Sequence, residues 1–129
     1  MILLDTSAVR AFWNNHTTLL HLVERANHGD RAELHVPAVC LMEAETLLPG
    51  SGLTILEQPG IAVVPLGHLA VATGILAHEQ PELSPGMAHA IVCAAPDPSG
   101  PLGGIIVTTE AELYPYGVVA VDADHPGLR

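Results

Sequence analysis

Lysine is absent from this chain of 129 residues, and its only basic side chains apart from eight histidines are Arg10, Arg25, Arg31 and Arg129. Against them stand 14 acidic residues, for a formal net charge of −10. A surface of this kind repels a polyanion at long range and argues against general, charge-driven binding of nucleic acid. Two features soften that exclusion. Divalent ions held in an acidic site invert the local field, and three of the four arginines fall within the first 31 positions. The histidines add positive charge only under mildly acid conditions.

Aromatic residues are equally scarce: Phe12, Trp13, Tyr114 and Tyr116 are the whole set, so aliphatic side chains must fill the core. Trp13, beside Phe12 on the first expected helix, reads as a packing or oligomer contact rather than as a base-stacking platform. Two cysteines, Cys40 and Cys93, form no CxxC pair and no other metal spacing. They read as buried free thiols in a reducing compartment. The histidines show no zinc spacing either, and His89 reads as a helix-surface or core-edge residue. No apolar run approaches the roughly 20 residues that span a bilayer. A basic start and a small-residue cleavage site are missing from the N-terminus, so a cytoplasmic location is expected.

What is present is a chain that is 49% apolar, of single-domain length, with short apolar runs alternating with helical patterns. That alternation predicts βαβ units around a mainly parallel sheet. Strands are expected at 2–4, 34–36, 61–64, 105–107 and 118–121. Helices are expected at 7–15, from Thr17 or Thr18 as cap to the His28-Gly29-Asp30 stop, from Pro37 to 48, at 52–57, 66–78 and 85–95. The Pro/Gly-rich stretch 96–104 reads as a loop, and residues 124–129 as a loose tail.

Three acids stand out. Asp5 ends the run Ile2-Leu3-Leu4 and is followed by Thr6 and Ser7. The carboxyl end of a parallel strand is where such sheets present ligand-binding groups. The plain alternative is a strand-to-helix turn with an N-cap. Glu43 lies in an otherwise apolar helix face with Val39, Cys40 and Leu47, where an unpaired carboxylate is costly to bury. Either it turns to solvent beside Glu45 or a cationic group balances it. Glu110 follows Val107-Thr108-Thr109 and repeats the design of Asp5: buried strand, hydroxyl residues, then an acid entering a helix. Each alone is explained by a cap or a solvated acid. Together they are placed to converge on one edge of the sheet.

In this order, Ile2-Leu3-Leu4-Asp5-Thr6-Ser7-Ala8-Val9, then Val36-Pro37-Ala38-Val39-Cys40-Leu41-Met42-Glu43, then Ile105-Ile106-Val107-Thr108-Thr109-Glu110, the chain resembles PIN-domain proteins. Within them it is most similar to the VapC toxins of toxin–antitoxin pairs. The resemblance implies a PIN-like three-layer α/β/α domain over residues 1–124, with about five short strands, followed by a tail at 125–129. It implies hydrolysis of RNA phosphodiesters at an acidic cluster that binds Mg²⁺ or Mn²⁺. Asp5, Glu43 and Glu110 would be the catalytic and metal-binding acids, with Thr6 and Thr108 as supporting polar groups. A homodimer and a neutralising antitoxin are the implied partners. Hard divalent cations take oxygen ligands, in keeping with these residue types.

At one position the chain departs from the family pattern. The acid that opens the helix at 84–95 is replaced by Met87, whose thioether is a soft, poor ligand for Mg²⁺. His89, about 200° further round that helix, does not project into the same site, and only a displaced alignment brings Glu82 near the helix start. A catalytically degenerate PIN-like binding or regulatory protein is therefore the alternative function. A metal-dependent hydrolase of another substrate is a third.

Overall fold

A computed structural model describes residues 1–30, 33–98 and 100–128. Arg31 and Arg129, two of the four cations, lie outside the described residues. Five short strands form one sheet: β1 (Ile2–Leu4), β2 (Leu34–Pro37), β3 (Ile61–Val64), β4 (Ile105–Thr108) and β5 (Ala120–Asp122). Their order is β3-β2-β1-β4-β5, and every pairing is parallel. The central strands read as unbroken apolar runs because both faces of a parallel sheet are covered. Leu3, Leu4, Leu34, Val36, Ile106 and Val107 are accordingly all buried.

Six helices flank the sheet: α1 (Thr6–Trp13), α2 (Thr17–Asn27), α3 (Ala38–Leu47), α4 (Ser51–Leu56), α5 (Ala70–Glu79) and α6 (Pro85–Ala94). The strands step one way from β1 to β3, and the chain then returns across the sheet to β4. Right-handed crossovers thus place helices on both faces. α1 touches β1 and β4, α2 and α4 touch β3, and α6 covers β2 and β4 with α5 packed on it. α3 touches α1 and α4 on one side and α6 on the other. This is the expected three-layer α/β/α arrangement. Among the described residues no helix is long and apolar enough to cross a membrane.

Several local expectations are corrected. Pro37 ends β2 and precedes α3 rather than sitting in its first turn. α2 has His16 at its N-cap, and neither Thr17 nor Thr18 caps it. The segment expected as one helix from 66 is a 3₁₀ turn at Gly67–Leu69 followed by α5, and only Thr73 of α5 is fully buried. The last strand begins at Ala120, two residues later than expected. Glu110 leads into a single 3₁₀ turn at Ala111–Leu113, not a longer helix. At the end of the chain, a 3₁₀ turn at Pro126–Leu128 buries Leu128 in the core, so the expected loose tail is anchored through that side chain. Cys40 and Cys93 are free thiols, the first buried and the second partly so.

Candidate functional site

In the order 3-2-1-4-5 the progression of the strands reverses between β1 and β4 while the pairing stays parallel. The crevice at the carboxyl ends of two such strands is where open α/β sheets bind ligands. Leu4 pairs with Val107 in the parallel register, and the Asp5 N–H donates to the Val107 carbonyl at 3.3 Å. Asp5 and Thr108 therefore leave the sheet side by side.

Asp5 is 2% exposed. Its Oδ1 accepts from the Ser7 hydroxyl at 2.7 Å and from the Ala8 N–H at 3.0 Å, which makes Asp5 the N-cap of α1. The capping group is thus the acid itself. Its Oδ2 accepts from the Tyr114 hydroxyl at 2.6 Å. Burial first, and the Asp5 charge second, hold the Tyr114 phenol well above its ordinary range.

Ser7 links this cap to β4. Its single proton goes to Asp5, so the 3.0 Å contact with Thr108 has the Thr108 hydroxyl as donor. The Ser7 Oγ also accepts from the Thr109 N–H at 2.9 Å, and Thr108 Oγ1 accepts from the Glu110 N–H at 3.0 Å. A directional chain of hydroxyls, Thr108 to Ser7 to Asp5, orders the floor of the crevice.

Glu43 is held in neither of the two ways the sequence suggests. Its Oε1 accepts from the Thr6 hydroxyl at 2.9 Å and the Ser84 hydroxyl at 3.3 Å. Ser84 caps α6 through the Met87 N–H at 3.1 Å, so the carboxylate rests against the positive end of that helix. The approach requires glycine at position 86. A Cβ there would overlap the Glu43 carboxylate and stand 2.9 Å from Thr6 Oγ1. Glu43 Oε2 and the Glu110 carboxylate make no hydrogen bond with any described residue. Glu45, the neighbouring acid, is occupied elsewhere: it accepts from the Gly50 N–H at 2.6 Å and the Leu53 N–H at 3.0 Å, which hold its carboxyl below its ordinary value.

Asp5, Glu43 and Glu110 all line one groove of about 570 Å³, with Thr6, Arg10, Met87 and Glu82 also on its walls. A larger cavity of about 700 Å³ at the start of α2, lined by His16, His21 and Asp124, contains none of the three acids. Thr6 serves Glu43 rather than Asp5, and Thr108 acts through Ser7. Met87, 6% exposed, lies on the groove wall. His89 is wholly buried, in contrast to the surface or core-edge position expected for it. Its Nδ1 accepts from the Val39 N–H at 3.3 Å, its Nε2 lacks a well-formed hydrogen bond, and burial lowers its pKa.

Sequence reasoning missed Ser84 and Arg10 in this groove, and Tyr114, which holds Asp5 from within the fold. Only the cap pattern Ser84-Pro85, with proline at the first helical position, could have placed Ser84. Nothing local marks Tyr114, which is 109 residues from its partner.

The donor set suits a hard divalent cation in a restricted sense. Among the described residues, no three carboxylate, imidazole or thiol groups lie close enough together to hold a metal ion. Both oxygens of Asp5 are already engaged, which leaves Glu43 Oε2 and Glu110 as open ligands. Mg²⁺ is commonly kept by one or two carboxylates and several waters rather than by an all-protein cage, a demand that open carboxylate oxygens of this kind can meet. No family model matches the chain, and no curated protein matches it.

Proposed function

We propose that this chain is a PIN-like protein of the VapC toxin kind, whose groove hydrolyses RNA phosphodiesters with Mg²⁺ or Mn²⁺. One observation carries the reading: three acids from three separate segments, Asp5, Glu43 and Glu110, line a single groove at the point where the strand order reverses. Glu43 and Glu110 would hold the ion. Asp5, buried between them and the hydroxyl chain, would contribute negative charge and order the floor. A bound divalent ion supplies an activated water and stabilises charge on the phosphate. A cytoplasmic location, a homodimer and a neutralising antitoxin belong to the same reading. The test is RNA cleavage by purified protein with Mn²⁺, absent in EDTA, abolished by Asp5→Asn and strongly reduced by Glu43→Gln. Absence of cleavage, together with no Mn²⁺ binding by calorimetry, overturns it.

Met87 favours a second reading, a binding or regulatory protein that has lost catalysis. Its thioether replaces an oxygen ligand on the groove wall, and the net charge of −10 disfavours RNA. Met87→Asp separates the two, with folding checked by circular dichroism. A large gain in Mn²⁺ affinity or cleavage marks a decayed site. Unchanged binding and cleavage mark a constellation that is complete as it stands.

A further inference from the structure

Arg10 is the one cation among the groove's lining residues. It stands one turn along α1 from Thr6 and Ser7 and also borders a second, shallower hollow with Ser7, Asn14, Thr109 and Glu110. With Glu110 so near, an ion pair is the ordinary expectation. None forms: the ion pairs among the described residues involve histidines, and the Arg10 side chain makes no hydrogen bond with any described residue. Its Nε is shut off from solvent without an acceptor. The terminal nitrogens are not so enclosed, and the residue lines both the groove and the hollow beside it. A guanidinium that is partly desolvated and unpaired carries an uncompensated cost, and an anion that reaches its open nitrogens relieves it.

We infer that Arg10 is the phosphate-binding residue of this groove, gripping a phosphodiester of single-stranded RNA beside the carboxylates. The inference rests on the hydrolase reading for its substrate class. The planar fork of arginine matches phosphate oxygens, and in a chain without lysine no other described side chain of the groove can supply that contact.

The experiment measures binding apart from cleavage. A fluorescent, short single-stranded RNA is titrated with wild-type protein, Arg10→Met and Arg10→Lys in Ca²⁺, over a series of salt concentrations. Methionine keeps the packing of the alkyl stem and removes the charge. Arg10→Met is expected to weaken binding about tenfold and to lower the salt slope by about 0.7, one single-strand phosphate contact. Arg10→Lys should keep the slope and lose part of the affinity. Equal affinity and slope for wild type and Arg10→Met overturn the assignment, as does no binding of RNA by the wild type. Competition by an acidic peptide as effective as by RNA would also overturn it, giving the cation to a protein partner. RNA bound through Arg10 but never cut with Mn²⁺ would instead sink the hydrolase reading alone.

Discussion

The Tyr114 hydroxyl donates to Asp5 Oδ2 at 2.6 Å, and this bond joins the end of the first strand to the turn that follows the fourth. Both partners are buried. Tyr114→Phe leaves a carboxylate oxygen without its donor in a site that water barely reaches. A loss of about 1–3 kcal/mol is expected in urea denaturation. The phenol also sets an alkaline limit. Its pKa in the fold lies above the ordinary 10.0, so above that pH the unfolded chain loses a proton that the folded chain keeps. Stability from this group is complete below pH 10.0 and is lost as the pH rises past it. Cys93, pushed up to about 11 by burial, and Cys40, raised by burial and then by Asp5, act in the same direction from 9.0 upward. The gap between wild type and Tyr114→Phe should therefore narrow above pH 10.0, and a constant gap counts against this account.

Ser7→Ala is expected to disturb more of the site than its size suggests. One hydroxyl gives its proton to Asp5 and receives bonds from Thr108 and the Thr109 N–H. Removing it strands two donors, the Thr108 hydroxyl and the Thr109 N–H, and one lone-pair site on Asp5. A destabilisation of about 2–3 kcal/mol follows if the groups stay dry. Ser7→Thr keeps the hydroxyl, and recovery of most of the loss in that variant would confirm that the bonds, rather than the small volume, matter.

Much of this arrangement was legible along the chain, and the reasons differ by element. The strands at Ile2–Leu4 and Ile61–Val64 follow directly from apolar runs bounded by polar or turn residues. The grouping of Asp5 and Glu110 follows from strand ends in a parallel sheet, a rule of topology that needs no contacts. α5 was legible in its facing: of the stripe Leu69, Ala70, Thr73 and Leu76 that its spacing turns inward, Thr73 is buried and Leu76 packs against the core. Val71 and Ile75, outside that stripe, are exposed because the helix packs on α6 at the edge of the domain. Glu43 was legible as an anomaly but not in its solution, since Thr6 and Ser84 reach it from 37 and 41 residues away. Burial of His89 was hidden for a similar reason. Its acceptor nitrogen is used by the start of α3, 50 residues earlier.

Gly86→Ala tests the seat of Glu43 separately from the stability of the fold. Within a helix the change from glycine contributes roughly 0.5–1 kcal/mol of stability. Here the new Cβ displaces the Glu43 carboxylate from Thr6 and Ser84, a movement that the flexible end of the side chain can make. The expected outcome is a melting temperature close to wild type with weakened Mn²⁺ binding. Equal loss in both measurements would mean that α6 itself has shifted.

His89 sets the acid limit. Its Nδ1 accepts from a backbone N–H, so the ring is neutral in the fold, and burial holds its pKa below the ordinary 6.5. Below pH 6.5 the unfolded chain therefore binds the proton more readily than the folded chain does. The stability that depends on the neutral ring is present above pH 6.5 and is lost as the pH falls beneath it. His89→Leu removes the acceptor for Val39 and should lower stability near neutrality by about 1–3 kcal/mol. It also removes the buried group that must charge, so the variant's denaturation midpoint should fall less steeply than that of the wild type between pH 6.5 and mildly acid conditions. His16 and His35, each beside an acid, remain in both proteins and cancel in the comparison. Parallel slopes for the two proteins would place the acid sensitivity elsewhere.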